Sequence, residues 1–385
     1  MPAEPRESAG YRPRNGPLDT GSGLWSTARG RASERMKIET IIPDSAFEQI
    51  PALARRLEEL GFDGLAQPEL KHDPFVALAL AAPVTQRLTL ATSVAIAFPR
   101  SPMVVAYQAH DLQRLSRGRF VLGLGTQVKG HIERRFSTTW DSPGPRLREY
   151  VLALRAIWKT WQTGEPLDFQ GRFYRFSLMT PEFDPGPIPY HPIPIEIAAV
   201  NAYNARLAGE IGDGLRVHPM TTPEYLRDVL WPLVREGAAR SGRDLHGFRM
   251  VGGGFIATGA GESEVRTARE QARYRIAFYA STRTYLPVLE HHGWAELNPK
   301  LRRLIAENRW DQLASVIPDE VLDAFCISGT YDTIAKRVRE RLEGLVDVLH
   351  VAPPADPLRP DERYLAAIAE LKSITPASAM HGNDS

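Results

Sequence analysis

The chain has 385 residues, with 47 basic and 46 acidic side chains and a formal net charge of +1. That balance, with no basic stripe, argues against nucleic acid as a partner, and no apolar run reaches the ~18 residues of a membrane span. The single cysteine, Cys326, excludes an intrachain disulfide framework and a multi-cysteine zinc site, and fits a reducing cytoplasm.

Residues 1–35 are rich in Pro, Gly, Ser and Arg and lack an apolar period or a secretory h-region, so they read as a disordered extension. Met36 opens a strand-like run at once and reads as a natural start. From there strands and helices alternate. Lys37–Ile42 reads as a strand, and Phe47–Leu60 as a helix with Leu53, Leu57 and Leu60 at helical spacing and Gly61 as its C′ residue. Asp63–Gln67 is the second strand, followed by a loop and a helix from Pro74 to Ala82. Leu88–Ala95 is the third strand and Pro102–Leu115 its helix. Phe120–Gly125 is the fourth strand, and Pro145–Trp161 a long amphipathic helix.

Residues 164–194 break this rhythm with seven prolines, and Phe169–Phe176 reads as a small hairpin. Ile195–Ala199 resumes the pattern as strand five, with Asn201–Ile211 helical. Leu215–Val217 is strand six, Thr222–Ser241 helix, Phe248–Thr258 strand seven and Glu262–Tyr279 helix. A second insertion, about 281–325, reads as helical. Thr330–Leu342 is a helix with Thr330 as N-cap, Val346–Val351 is strand eight, and Pro360–Leu371 closes the chain. Eight strands alternating with helices predict a (β/α)8 TIM barrel over 36–375, with insertions after the fourth-strand helix and in the seventh βα unit. Residues 376–385 read as a flexible tail.

In such a barrel the loops after the strand C-termini build the site. The polar residues there are Glu69, Lys71, His72 and Asp73 after strand two, and Ser93 and Arg100 around strand three. Thr126, Gln127, Lys129 and His131 follow strand four, Asn201 strand five, Arg216 and His218 strand six, and His350 strand eight. Gly123-Leu-Gly125 resembles the start of a dinucleotide fingerprint, but Val stands at 128 and the run follows the fourth strand, not the first. There is no Walker A run, no Gly-x-Ser-x-Gly elbow and no His-x-His after strand one. A metal set of His72, Asp73 and His131 is disfavoured, because adjacent side chains do not share a direction. His291 and His292 read as surface or capping residues.

The segments Glu69-Leu-Lys-His-Asp-Pro-Phe75, Ala97-Phe-Pro-Arg-Ser-Pro102, Ser116–Gln127 and Ala208–Gly214 carry a family resemblance. The chain resembles the bacterial luciferase-like superfamily of TIM barrels, and within it the deazaflavin (coenzyme F-420)-dependent oxidoreductases. The resemblance implies a tricyclic ring held flat in the barrel mouth and hydride transfer with a small organic substrate. The alternative cofactor is FMN, with a monooxygenase using a peroxyflavin. The alternative of another class is a non-catalytic cofactor-binding barrel. Ser93 and Val94 match a bulge that backs the ring, often through a non-prolyl cis peptide. Gly125, Thr126 and Gln127 would meet its polar edge or ribityl chain. Ala199, Val200 and Asn201 would lead the cofactor phosphate to the next helix's amides, with Asn201 also a plain N-cap. His72 is the candidate proton donor and Glu69 its orienting partner, unless both merely cap the helix at Pro74. Arg134, Arg135 and Arg216 are candidate partners for phosphate or an acidic tail. A cytoplasmic enzyme with a small-molecule substrate and a homodimer by analogy complete the expectation.

Overall fold

The computed structural model describes residues 35–381, and the structural statements below concern those residues; the expected extension over 1–35 falls almost wholly outside them. Eight strands form the barrel: β1 Lys37–Thr40, β2 Gly64–Gln67, β3 Thr89–Thr92, β4 Phe120–Gly125, β5 Ile195–Ala199, β6 Gly214–Val217, β7 Arg249–Val251 and β8 Val348–His350. All neighbouring pairs are parallel, in the order β3-β2-β1-β8-β7-β6-β5-β4, and β3 pairs with β4 to close the ring. The sequence reading of a (β/α)8 barrel therefore holds. Closure leaves no free strand edge.

Local rules account for most of the helices. Helix α1 (Ile50–Glu59) ends on Gly61 with φ +91°, and Phe62 N–H bonds Leu57 O at 3.1 Å, a left-handed C-terminal cap only glycine takes without strain. Helices α2 (Pro74–Ala81) and α3 (Pro102–Leu115) start on a proline behind a capping side chain. Asp73 accepts from Phe75 N–H in the first, Ser101 from Met103 N–H in the second. Neither Glu69 nor His72 is the cap. Helix α4 (Pro143–Thr163) buries Leu147, Tyr150, Leu154, Ile157, Trp158 and Trp161 along one stripe. Helices α5 (Ala202–Ile211), α6 (Trp231–Ser241), α7 (Glu262–Ala280), α8 (Ile334–Leu342) and α9 (Glu362–Leu371) complete the outer layer.

The turn into β3 hangs on one side chain. Glu58 accepts the N–H groups of Gln86, Arg87 and Leu88 at 3.0, 2.5 and 2.9 Å. Burial pushes its carboxyl pKa up, but the three donors outweigh it and hold the value below the usual range. Because the folded value is depressed, this stability is present above the unfolded carboxyl pKa of about 4.3 and is lost as pH falls through the folded value. Glu58→Gln is expected to cost about 1–3 kcal/mol near neutral pH, read by urea denaturation, with a difference from the parent that shrinks toward acid.

Four expectations are corrected. The single strand at Phe248–Thr258 is two: β7 ends at Val251, and Gly252, Gly253 and Gly254, all with positive φ, turn the chain out of the barrel. The exit leads into Phe255–Gly259, which pairs in parallel with Cys326–Thr330 in a separate two-stranded sheet. Thr330 therefore ends a strand instead of capping a helix. The expected tail at 376–385 begins as a short helix, Ala377–His381, with Ala377 buried and Ser378 N–H bonded to Asp347. Lastly, β3 stops at Thr92, and Ala95–Ile96 resumes beside β4 after a break at Ser93–Val94.

The second insertion is longer than the expected 281–325: the chain leaves the barrel at 252–254, and the excursion takes in Phe255–Gly259, α7 and Cys326–Thr330 as well. Phe169–Gln170 and Arg175–Phe176 form the expected antiparallel hairpin. The 281–325 segment is helical and is fastened to the loop after β6 by His292, whose Nε2 lies 2.7 Å from Thr222 Oγ1 and whose ring stacks on Trp294.

Candidate functional site

Strand pairing decides which side chains enter the barrel. Residues in register on neighbouring parallel strands share a face. Ala66, Ala91 and Val121 form an interior cluster of their own, apart from the main core. The same face carries Gly123 and Gly125 on β4, Glu196 and Ala198 on β5, Arg216 on β6, Arg249 on β7, and Glu39 in register with His350 on β1 and β8. Strands β2 to β4 thus offer small residues, and the opposite wall offers charges.

The charges are paired. Arg216 contacts Glu39 at 2.8 Å and Glu196 at 2.6 Å, and Arg249 contacts Glu196 at 2.7 Å. Burial pushes the Glu39 carboxyl pKa up, but Arg216 reverses this and the net shift is downward. The guanidinium of Arg216 is held firmly charged by the same two carboxylates. The expectation that Arg216 pairs with a phosphate is corrected: both its charge partners lie inside the barrel. Arg135, also named for that role, donates instead to Leu70 O at 2.8 Å.

Above this layer lies the break in β3. The Ser93–Val94 peptide is cis, and both side chains are partly exposed. A Cβ added at Gly125 would sit 2.7 Å from Val94 Cγ2 and 3.4 Å from Ala198 Cβ. The absent side chain lets the end of β4 close up against the bulge. Thr126 and Gln127 follow, both partly exposed; Gln127 takes φ +59° and its Oε1 accepts from Val128 N–H. Ala199 and Val200 are buried, and the Val200 carbonyl accepts from Tyr225 OH at 3.1 Å. Asn201 is exposed and caps α5 through Asn204 N–H.

Glu69 and His72, expected together, have separate surroundings. Glu69 is buried, accepts Ile96 N–H at 2.8 Å, and is paired with Arg100 at 2.8 Å. Arg100 also reaches Asp73 at 2.8 Å. This clamp ties the loop after β2 to the far side of the Ser93–Val94 bulge. His72 is exposed, with its ring stacked on Phe47 at 4.2 Å. No group of three His, Cys, Asp or Glu gathers to hold a metal among the described residues, and Asp73 is already engaged by Arg100 and Phe75 N–H.

The profile of the family described as luciferase-like monooxygenase matches residues 23–347. The chain belongs to that family. An uncharacterized protein of Mycobacterium tuberculosis is 47% identical over 316 residues, covering 82% of this chain and 92% of that protein. The 5,10-methylenetetrahydromethanopterin reductase of Archaeoglobus fulgidus is 26% identical over 323 residues, with 82% and 92% covered. Among solved structures, the coenzyme F-420-dependent tetrahydromethanopterin reductase from Methanopyrus kandleri superposes with a TM-score of 0.70 at 21% identity, over 88% of this chain and 98% of that one. That likeness supports the fold of this luciferase-like chain. No helix among its described residues is long and apolar enough to cross a membrane.

Two mouth features escaped the sequence reading. The Glu69–Arg100–Asp73 clamp joins residues 27 and 31 positions apart, and no periodicity marks such a pair. The contact of His218 with Tyr279 and Tyr285, at 4.4 and 4.7 Å between ring centroids, needs the second insertion folded onto the strand ends. The aromatic content of that insertion was the available signal.

Proposed function

We propose that the chain is an oxidoreductase that holds coenzyme F-420 in the barrel mouth and passes hydride between it and a small organic substrate. The observation that carries this is the partly exposed Ser93–Val94 bulge packed against a side-chain-free Gly125. A side chain at 125 would press on Val94, so the glycine lets β4 close against the bulge. Ser93 and Val94 would back the ring. Gly125, Thr126 and Gln127 would meet its polar edge, with Gly125 permitting close backbone approach. Ala199, Val200 and Asn201 would lead the phosphate to the first amides of α5. When bound, the deazaflavin supplies a carbon centre for hydride exchange; this chain's residues bind it, orient it and exclude water. His72 remains the candidate proton donor, accessible and supported by Phe47. Glu69 acts by positioning, since its carboxylate is committed to Arg100 and Ile96. The F-420-dependent glucose-6-phosphate dehydrogenase of Nocardia farcinica, 36% identical over 192 residues, favours the deazaflavin; the family's description as a monooxygenase favours the second reading.

Titration of the purified protein with coenzyme F-420 and with FMN, followed by tryptophan fluorescence, tests the reading. Tight binding of the deazaflavin alone supports it, FMN alone moves it to the second reading, and binding of neither overturns it. Gly125→Ala should push Val94 into the ring's place and weaken cofactor binding about tenfold or more, or 1.4 kcal/mol, with an unchanged circular dichroism spectrum. His72→Ala should slow turnover about a hundredfold while cofactor affinity stays the same; an unchanged rate removes its role.

A further inference from the structure

The mouth wall formed by β6, β7 and β8 lies apart from the bulge and carries a different chemistry. Strand β7 stands between the other two, and beyond Val251 it offers only Gly252, Gly253 and Gly254. A Cβ at Gly252 would sit 2.9 Å from Val217 Cβ, so no side chain fits there. Strand β7 therefore adds no side chain at this level and packs closely on its neighbours, between His218 beyond the end of β6 on one flank and His350 at the end of β8 on the other.

The two imidazoles are set oppositely. His218 Nδ1 accepts Met220 N–H at 3.0 Å, so its proton sits on Nε2, which has no partner among the described residues. Burial holds the ring neutral, with a pKa pushed down to about 4. His350 Nδ1 lies 3.9 Å from Glu39 Oε1, and Arg216 keeps that carboxylate ionised. A fixed negative charge beside Nδ1 favours the proton there and leaves the Nε2 lone pair open. The charged groups facing His350 are Glu39 from β1, Arg216 from β6 and Arg275 from α7; burial comes first in keeping the ring neutral, and the two guanidinium groups oppose Glu39. Tyr279 from α7 and Tyr285 from the second insertion pack on His218 and on one another, and neither hydroxyl has a hydrogen-bond partner among the described residues.

We propose that the mouth between these two imidazoles is the substrate slot and selects a ring-bearing alcohol or carbonyl compound, with His218 Nε2–H donating to its oxygen, His350 Nε2 accepting from a hydroxyl, and the two tyrosines covering its ring. The proposal rests on reading the mouth as an oxidoreductase site. A site built to hydrogen-bond an oxygen rejects the analogue that lacks it, because its own donor and acceptor are then left unpaired.

Benzyl alcohol and toluene are the probes, titrated into the full-length protein and followed by saturation-transfer NMR. Benzyl alcohol should bind about tenfold tighter or more, and His218→Phe and His350→Phe should each remove most of that preference. Tyr285→Leu should weaken both probes alike. Nitrogen-15 histidine spectra of the unsubstituted protein provide a readout free of any folding defect: His218 should carry its proton on Nε2 and His350 on Nδ1. Equal binding of the two probes, a preference that survives both substitutions, or the opposite tautomer at either ring overturns the proposal. Fluorescence titration with coenzyme F-420 and FMN separates the two readings. If neither cofactor binds yet the probe preference holds, the redox assignment fails and the oxygen-selective slot stands. If a cofactor binds and the preference is missing, the slot alone fails.

Discussion

Arg216→Met is expected to lower the unfolding free energy by about 3–5 kcal/mol, because it removes the shared cation from two carboxylates and strands Glu39 inside the barrel. Glu196 keeps Arg249 at 2.7 Å, whereas Glu39 keeps His350 at 3.9 Å and only the more distant charge of Arg249. Urea denaturation at neutral pH measures the loss; a value under about 1 kcal/mol would equate the network with a surface ion pair and refute it. The pH dependence has a definite sign. In the parent the Glu39 pKa is lowered, so its contribution is present above the unfolded value and fades as pH falls through the folded one. In the variant burial acts without its counter-charge and raises that pKa, so acid relieves the strain by protonating the carboxyl. The deficit should narrow toward acid. Adding Glu39→Gln to Arg216→Met should restore part of the loss at neutral pH, since the stranded charge is then gone.

Gly123→Ala should be as damaging, for a steric reason. A Cβ there would lie 2.0 Å from Thr92 O and 3.0 Å from Arg216 Cδ. Thr92 is fixed in the adjacent strand, with its Oγ1 donating to Gly123 O at 2.7 Å, so β3 and β4 must spread for the methyl to fit. Overpacking costs about 1–3 kcal/mol where side chains can yield; here a backbone oxygen is in the way, and the expected loss is at or above the top of that range. Poor soluble yield or a thermal midpoint lowered by about 4 °C or more is the predicted result. A midpoint within about 2 °C of the parent would mean that the strands separate freely. The contrast with Gly125→Ala is informative. There the nearest atom is the tip of Val94, which can swing aside, so the fold should survive while cofactor binding suffers.

The sequence alone determined the barrel and its outer layer. β-Branched runs bounded by turn residues, amphipathic helices at a 3.6 period and prolines at helix starts are local signals, and each records a decision made within about fifteen residues. That is why Pro102–Leu115, Phe120–Gly125 and Ile195–Ala199 were legible to the residue. The same signals placed Ser93, Gly125, Asn201, His218 and His350 at strand ends, which marked one face of the barrel as the candidate site. Tertiary structure decided what those residues meet. Arg216 reads as a phosphate ligand in sequence; strand pairing turns it inward to Glu39, 177 positions away. Glu69 reads as a partner for the nearby His72, yet it is bound by Arg100 across the loop. The strand at Cys326–Thr330 became legible only once the three glycines after β7 had sent Phe255–Gly259 out of the barrel to meet it. Charge pairing and strand partnership depend on distance in space, and the periodicity of a single chain records only direction.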